Sequence, residues 1–346
     1  MIEGNNHEYA QSSNVRRQPN IVDVAKHAAV SSKTVSNVLH GRSNVKSETR
    51  ERVLKSIREL GYHPNLISRQ LRYGKSNTIM LAVPELRNTY FSTLAHEVMT
   101  YAQQMNYTVL ITETMGDSQR EEAALSGLSS CTVDGVILST LALTGKEAWA
   151  KRTGMPVVLL GEQVGESTIT HVAINNRQSG QDVANHLIER GCHKLVFLGA
   201  DAHVNIGTGW SRLQGCLDVV KSNDQVTITA KPMDYTYEDG AKAILEFMQN
   251  EEHYDALICG NDALALGAMW ELRMHGVRVP QDVCVIGWDG STEGKYANPS
   301  LTTVEIDIRQ VAKTAVDAVL STVKTGDAAG ELLVDYRLLA RESTRR

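Results

Sequence analysis

An all-α N-terminal headpiece of helix-turn-helix type, followed by an α/β body of two doubly wound parallel-sheet lobes, is the fold class predicted by these 346 residues. Three observations carry it. Residues 20–61 hold three short helical patterns joined by tight turns. From Ser76 onward, apolar strand-like runs alternate with longer amphipathic segments. Charge divides at the same place: residues 1–75 carry thirteen Lys and Arg against six Asp and Glu, net +7, and a whole-chain charge of −5 leaves −12 for the rest. A basic head on an acidic body directs the head, not the body, to a polyanion.

Composition narrows the classes. With 42% hydrophobic and 22% charged residues the chain is an ordinary globular one. No run approaches the roughly 18 apolar residues of a membrane span. The start, MIEGNNHEYAQSSNVRRQ, has no apolar core and does not read as a signal peptide. The cysteines (131, 192, 216, 259 and 284) are never spaced CxxC, and most sit in apolar runs such as ALICG and VCVIGW. They are expected to be buried free thiols without a metal or redox role, in a cytoplasmic protein.

Residues 1–18, polar and aperiodic, read as a disordered tail. Ile21–Ala28 follows as a short helix with Val22 and Ala25 facing inward, then Ala29–Ser31 as a tight connection. Ser31 is the expected N-cap of a second helix, Ser32–His40, with Val35, Val38 and Leu39 on one face and Ser32, Lys33, Ser36 and Asn37 outside. Gly41 should close it. A third helix, Ser47–Leu60, should bury Val53, Ile57 and Leu60 and stop at Gly61. A helix-turn-helix reads bases through short or polar residues on its second helix, while flanking hydroxyls and amides hold phosphates.

In the body, strands are expected at TIMLAV (78–83), YTVLIT (107–112), DGVIL (134–138), PVVLL (156–160) and HVAI (171–174). A second set comprises KLVFLG (194–199), DALICG (255–260) and VCVIGW (283–288). Helices are expected at 91–105, 117–130, 177–190, 240–249 and 263–275. Such alternation gives right-handed βαβ units, whose ligands bind beyond the carboxyl ends of the strands. VPELRNTYF stands after the first strand in place of GxGxxG, and GxSxG, HExxH and GxxxxGK[ST] are all missing, so neither an enzyme nor a cofactor is expected.

The run from Ile21 to Arg72 resembles the LacI/GalR family of bacterial regulators almost position by position. DVA, AxVS, TVSxVL, VxxxTRxRV, ELGYxPN and RxL occur in the family's order and spacing. The resemblance implies that Ser32, Lys33 and Asn37 read bases in the major groove and that Ile21 touches a base edge. Lys33 could donate to guanine and Asn37 pair with adenine. It implies sugar-phosphate contacts for Asn20, Ser31, Thr34, Ser36, His40, Asn44 and Thr49, although Thr34 and Ser36 could serve only as helix surface. Asn65–Arg72 corresponds to a hinge helix that folds on the operator, with Leu71 wedged into a minor-groove base step between Arg69 and Arg72. Ser68 departs from the family's usual alanine.

In the body, VPELRNTYF, GNDALALGAM, VPQDVCVIGWDG and NPSLTTVEID match family motifs and make it similar to periplasmic sugar-binding proteins. The resemblance implies crossings between lobes near 175, 303 and 328. The expected domains are therefore 19–64 for DNA binding, 65–75 for hinge and linker, 76–175 plus 304–327 for the N-terminal lobe, and 176–303 plus 328–346 for the C-terminal lobe. Arg212, Asn261 and Asp289 fall at effector-binding positions. Tyr90, Phe91, Trp210 and Trp288 are candidate aromatic walls, the alternatives being a core position for Trp288 and a surface one for Trp210. Glu162, after Gly161, stands where several sugar-sensing relatives carry an aspartate. The expected protein is a repressor that grips a palindromic operator as a homodimer and is released by a sugar-like effector. A purine or phosphorylated corepressor is the alternative, and a solute-binding protein is less favoured. No long heptads follow Leu339, so a tetramer is not expected.

Overall fold

The computed structural model describes residues 19–39, 45–62, 76–126, 133–143, 155–161, 169–200, 207–251 and 253–346. The expected tail (1–18), the Gly41 cap and the hinge (65–72) lie outside the described residues. The chain divides into two compact units, one up to Ser76 and one from Asn77.

In the first unit, α1 (Ile21–His27) starts in a reciprocal capping box. Asn20 Oδ1 accepts from Val22 N at 2.8 Å, and the Asp23 carboxylate accepts from Asn20 N at 2.8 Å. Helix α2 (Ser32–Leu39) begins at Ser31, whose hydroxyl accepts from Thr34 N at 3.1 Å. Helix α3 (Ser47–Leu60) ends at Gly61, which takes the left-handed φ of 62°. The core is Val24, Ala25, Ala28, Val35, Val38 and Val53. Val22, expected inside, is 47% exposed. The inward stripe of α1 runs 21, 24, 25 and 28, the i, i+3, i+4, i+7 rows of a helix, and leaves 22 on the outer flank. Ile57 and Leu60 are only half-buried, while Ser56 is buried: its hydroxyl meets His27 Nδ1 at 3.0 Å. Arg52 Nε donates to Ala28 O at 2.9 Å, so polar groups clamp α3 to α1.

The second unit contains two sheets. The first joins β1 (Thr78–Val83), β2 (Thr108–Glu113), β3 (Gly135–Ser139), β4 (Val157–Leu160), β5 (Thr170–Ala173) and β11 (Glu331–Leu333), in the order β11-β5-β4-β3-β1-β2. All its pairings are parallel. Every residue of β1, β3, β4 and β5 is buried, as expected of parallel strands covered on both faces, whereas the edge strand β2 leaves Leu110 and Ile111 exposed. Helices α4 (Thr89–Gln104), α5 (Ser118–Leu125) and α11 (Ile308–Thr325) pack on this sheet.

The second sheet joins β6 (Lys194–Leu198), β7 (Thr227–Lys231), β8 (Ala256–Cys259), β9 (Cys284–Asp289), β10 (Thr302–Ile306) and β12 (Tyr336–Leu339), in the order β12-β10-β9-β8-β6-β7. It is parallel except for β12, which runs antiparallel to β10. Its helices are α6 (Asn176–Ile188), α7 (Thr208–Val220), α8 (Tyr237–Gln249), α9 (Asp262–Met274) and the short α10 (Thr292–Tyr296). Helices α6 and α7 touch backbone to backbone. A Cβ on Gly180 would lie 2.0 Å from Arg212 O, and one on Gly215 would lie 1.9 Å from Arg177 O. That contact fixes where Arg212 stands.

The chain crosses between lobes at 174–175, at 307 and at 334–335. The last two crossings fall later than the expected 303 and 328. Strand β10 continues in the second sheet until Glu305 pairs with Asp289, and β11 adds to the first sheet beside β5 before the chain leaves. The second and third crossings are tied together, since Gln310 Oε1 accepts from Asp335 N at 3.1 Å.

Candidate functional sites

The headpiece presents its candidate base-reading residues on α2. With Val35 and Val38 buried, the 100° step per residue turns Lys33, Ser36 and Asn37 to the opposite side and leaves Ser32 on the flank. Lys33 is exposed and the other three are half-buried. The Ser31 hydroxyl lies 3.0 Å from Thr34 Oγ1, so both hydroxyls sit at the helix start, where peptide dipoles favour an anion. Asn20 caps α1, Ile21 is half-buried against the headpiece core, and Thr49 is half-buried in the first turn of α3. His40, Asn44, Asn65, Arg69, Leu71 and Arg72 lie outside the described residues.

In the body, the carboxyl ends of β6, β8 and β9 meet the start of α4 at the seam between lobes. Arg212, on the first turns of α7, is 6% exposed. Its Nε donates to Asn176 Oδ1 at 2.9 Å and its Nη1 to Gly260 O at 2.6 Å, with the guanidinium 5.0 Å from the Trp288 ring centroid. Trp288 is not a wall. It is fully buried in the core, and its indole donates to Ser179 Oγ at 3.2 Å. A β9 side chain pointing into the sheet packing has no surface to offer a ligand, so Trp288 backs Arg212 instead.

Asp289 follows in the next position with a φ of +111°, a conformation that costs a non-glycine residue of order 1–3 kcal/mol. No hydrogen bond to its carboxylate occurs among the described residues. Burial raises its pKa well above the ordinary value, the Asp262 charge adds to this, and Arg212 opposes it. Tyr90, reaching from the first lobe, has its phenol pKa raised by burial and then by Asp289, again opposed by Arg212. The seam thus brings Tyr90, Arg212 and Asp289 within electrostatic reach of one another. Phe91 meets the Tyr90 ring edge-on at 5.2 Å, and Trp210 is half-buried against the core. Asn261 is occupied structurally: Oδ1 accepts from Leu264 N at 2.9 Å to cap α9, and Nδ2 donates to Tyr235 O at 3.1 Å. Glu162 lies outside the described residues. At Gly161, a Cβ would lie 3.5 Å from Thr208 Oγ1 across the seam.

Two residues escaped the sequence reading. Tyr235 is wedged between strand ends, its hydroxyl donating to Gly199 O at 2.7 Å. A Cβ on Gly260 would stand 2.2 Å from its ring, and one on Gly209 would stand 2.3 Å from its hydroxyl oxygen. Burial raises its pKa, Arg212 lowers it and Asp289 raises it, which places it in the same electrostatic group. Asp262 accepts from Thr303 Oγ1 at 2.6 Å and Ser291 N at 2.7 Å, joining three segments beneath Asp289. Burial pushes its pKa up to about 6, against those hydrogen bonds. Asp262 was visible as the aspartate of the NDxxAxG motif. Tyr235 had no local signal, because its three glycine neighbours come from separate segments.

Among the described residues, no group of three or more His, Cys, Asp or Glu is placed to hold a metal, and no helix is long and apolar enough to cross a membrane. A three-helix headpiece with a polar second-helix face, together with two lobes that converge polar and aromatic groups on a seam, defines a DNA-binding regulator with a ligand-sensing body. Residues 20–65 match the family of bacterial regulatory proteins of lacI type, and residues 184–344 match the periplasmic binding protein-like domain. The chain is 31% identical to the ribose operon repressor of Halalkalibacterium halodurans, over 94% of this chain and 97% of the relative. It is 30% identical to the transcriptional repressor PurR of Aliivibrio fischeri, over 89% and 92%. The lac repressor dimer bound to operator and the anti-inducer ONPF superposes with a TM-score of 0.83 at 26% identity, covering 95% of this chain and 99% of that one. The chain belongs to the lacI family of DNA-binding transcriptional regulators.

Proposed function

We propose that the protein represses carbohydrate-utilisation genes by binding an inverted-repeat operator as a homodimer, and that a sugar-like effector in the inter-lobe seam releases it. The carrying observation is Asp289: a half-buried carboxylate at positive φ without a hydrogen-bond partner among the described residues, in electrostatic reach of Tyr90 and Arg212. A carboxylate and a guanidinium suit vicinal hydroxyls, and Tyr90, Phe91, Tyr235 and Trp210 supply apolar surface for the C–H faces of a pyranose. Glu162, next to Gly161 in sequence, is the further polar candidate.

On the DNA side, Ser32, Lys33 and Asn37 read bases, with Ile21 at a base edge. Asn20, Ser31, Thr34, Ser36, His40, Asn44 and Thr49 hold the sugar-phosphate backbone. Asn65–Arg72 forms the hinge, with Leu71 as wedge between Arg69 and Arg72. A hinge of about eight residues is too short to hold a helix alone and needs its two-fold mate. An effector that changes the lobe angle separates the mates and melts both, a coupling typically of a few kcal/mol.

The same aromatic walls would accept a planar base, so a purine or phosphorylated corepressor is the second reading. Both make the protein a regulator rather than an enzyme. The test is anisotropy of labelled genomic operator fragments titrated with the protein alongside panels of sugars and nucleobases, supported by thermal shifts. Release by a sugar is expected. Tightening by a nucleobase would replace the first reading with the second, and indifference to both panels would remove the seam as an effector site.

A further inference from the structure

Asp262 does more than open α9. It is the first residue of that helix, directly after the Asn261 cap, and is 1% exposed. A carboxylate so deeply buried needs donors, and it takes them around the segment that follows Asp289. Oδ2 accepts from Ser291 N at 2.7 Å. Oδ1 accepts from Thr303 Oγ1 at 2.6 Å, and that hydroxyl oxygen accepts in turn from Gly290 N at 3.2 Å. The buried Thr303 hydroxyl is therefore a relay, giving its one proton to Asp262 and a lone pair to Gly290. Both amides after Asp289 are held by one side chain, the second directly and the first through Thr303. The sheet leaves room for this. Thr303 stands beside Gly287 in the β9–β10 register, and a Cβ on Gly287 would lie 2.4 Å from Asp262 Oδ1.

These bonds reach two places at once. Gly290 takes a φ of +72° directly after Asp289 at +111°, so holding the amides of 290 and 291 fixes the turn and with it the direction in which Asp289 leaves β9. Ser291 is also the N-cap of α10, its Oγ accepting from Gly294 N at 3.1 Å. That helix carries Glu293, which accepts from Thr89 Oγ1 of the first lobe at 2.8 Å. Leu301 N donates to Gly294 O at 2.8 Å and closes the segment back towards Thr303. The Asp262 charge is besides the second cause, after burial, of the raised Asp289 pKa.

We propose that Asp262, with Thr303 as its relay, is a positioning residue of the sensing body. It makes the turn that aims Asp289 and the helix that carries Glu293 into one rigid piece, so that a ligand on Asp289 acts on the bond to Thr89 across the seam. This rests on the reading of the seam as the effector site. Without the relay Asp289 would keep its place in the chain, but its displacement would no longer reach α10.

The experiment uses the full chain. Thr303→Val keeps the shape and removes the relay, Thr303→Ser keeps the hydroxyl, and Asp262→Asn keeps one acceptor of two should Thr303→Val fail to fold. Hydrogen exchange read by mass spectrometry needs no ligand: in Thr303→Val the 289–296 peptide should exchange roughly tenfold faster, as expected for losing a bond to a charged group. Peptides from α8 and β6 should keep wild-type rates, and Thr303→Ser should restore protection. The second arm titrates operator complexes with the panels of sugars and nucleobases. There Thr303→Val should raise the half-effect concentration of a compound active on the wild type by roughly tenfold, and Thr303→Ser should return it. Unchanged exchange in Thr303→Val, or equal loss of protection in Thr303→Ser, would overturn the proposal, as would faster exchange with an unshifted response. A wild type indifferent to both panels would instead remove the effector reading, and the exchange rates would still decide whether Asp262 holds the turn.

Discussion

Thr89 Oγ1 donates to Glu293 Oε1 at 2.8 Å, joining α4 of the first lobe to α10 of the second four residues beyond Asp289. This side-chain bond spans the seam that an effector must alter. Its loss should shift the lobe equilibrium by about 1 kcal/mol, roughly fivefold in the effector concentration for half-release. Thr89→Val and Glu293→Ala should produce the same shift, and the double variant no more than either. Additive shifts in a double-mutant cycle would show that the two residues act separately.

Asp289 is expected to trade stability against sensing. Asp289→Gly removes both the strained φ and a desolvated carboxyl, so its Tm should rise, with about 1 kcal/mol or more from the backbone alone. Asp289→Asn keeps the strain and removes only the charge, so it should gain less. Both should retain operator affinity and lose effector response in anisotropy titrations. A response that survives in Asp289→Asn would move the effector site elsewhere.

These sites differ in how far the sequence exposes them. The cap at Ser31, the αL stop at Gly61 and the largely apolar β1, β3 and β4 announce themselves because each depends on neighbours in the chain. Strand β7, with its alternating polar edge, and the three-residue β11 depend on pairing partners far away in sequence and give no comparable local pattern. Helix α11 went unpredicted although its buried positions 311, 312, 315, 316 and 319 repeat with helical period. Trp288 shows the limit for side chains. Its motif places it beside Asp289, but only the sheet decides that one residue faces the core and the next the seam.

The headpiece contacts separate into specificity and scaffolding. Lys33→Ala and Asn37→Ala should weaken operator binding without lowering the headpiece Tm, and Asn37→Ala should relax sequence preference by about 1–3 kcal/mol at one base pair. Asn20→Ala instead removes the side-chain half of a capping box, leaving the backbone N–H of residue 20 on the Asp23 carboxylate, and should cost about 1 kcal/mol of stability. Leu71→Ala should weaken specific binding more than non-specific binding. Equal losses on operator and random DNA would remove the wedge role.

His186 sets a pH limit on the second lobe. Its Nε2 lies 2.8 Å from Thr344 Oγ1, and burial, followed by Arg190, holds its pKa at about 4 against an ordinary 6.5. The unfolded chain therefore binds the proton first. Stability from the neutral imidazole is complete above pH 6.5 and is lost as pH falls towards 4, on the order of 3 kcal/mol in all. Asp262, raised to about 6, works in the opposite direction between pH 6 and 3.8, because its folded form takes up the proton more readily. Melts of His186→Gln should accordingly lose less stability between pH 7 and 5 than the wild type. Parallel curves for the two proteins would show that His186 is not the titrating group.

Tyr235 is the part of the seam whose role rests most on shape. Its hydroxyl bond to Gly199 O contributes about 1 kcal/mol, so Tyr235→Phe should change effector affinity by no more than about tenfold. Tyr235→Ala removes a ring packed against Gly199, Gly209 and Gly260 and should abolish the response while leaving operator binding intact. Gly260→Ala separates wall from cavity, because the new methyl would stand 2.2 Å from the Tyr235 ring and must displace it. If Tyr235 positions the ligand, Gly260→Ala should resemble Tyr235→Ala in effector titrations despite retaining the tyrosine. A Gly260→Ala protein that folds and responds normally would show that the ring is packing only.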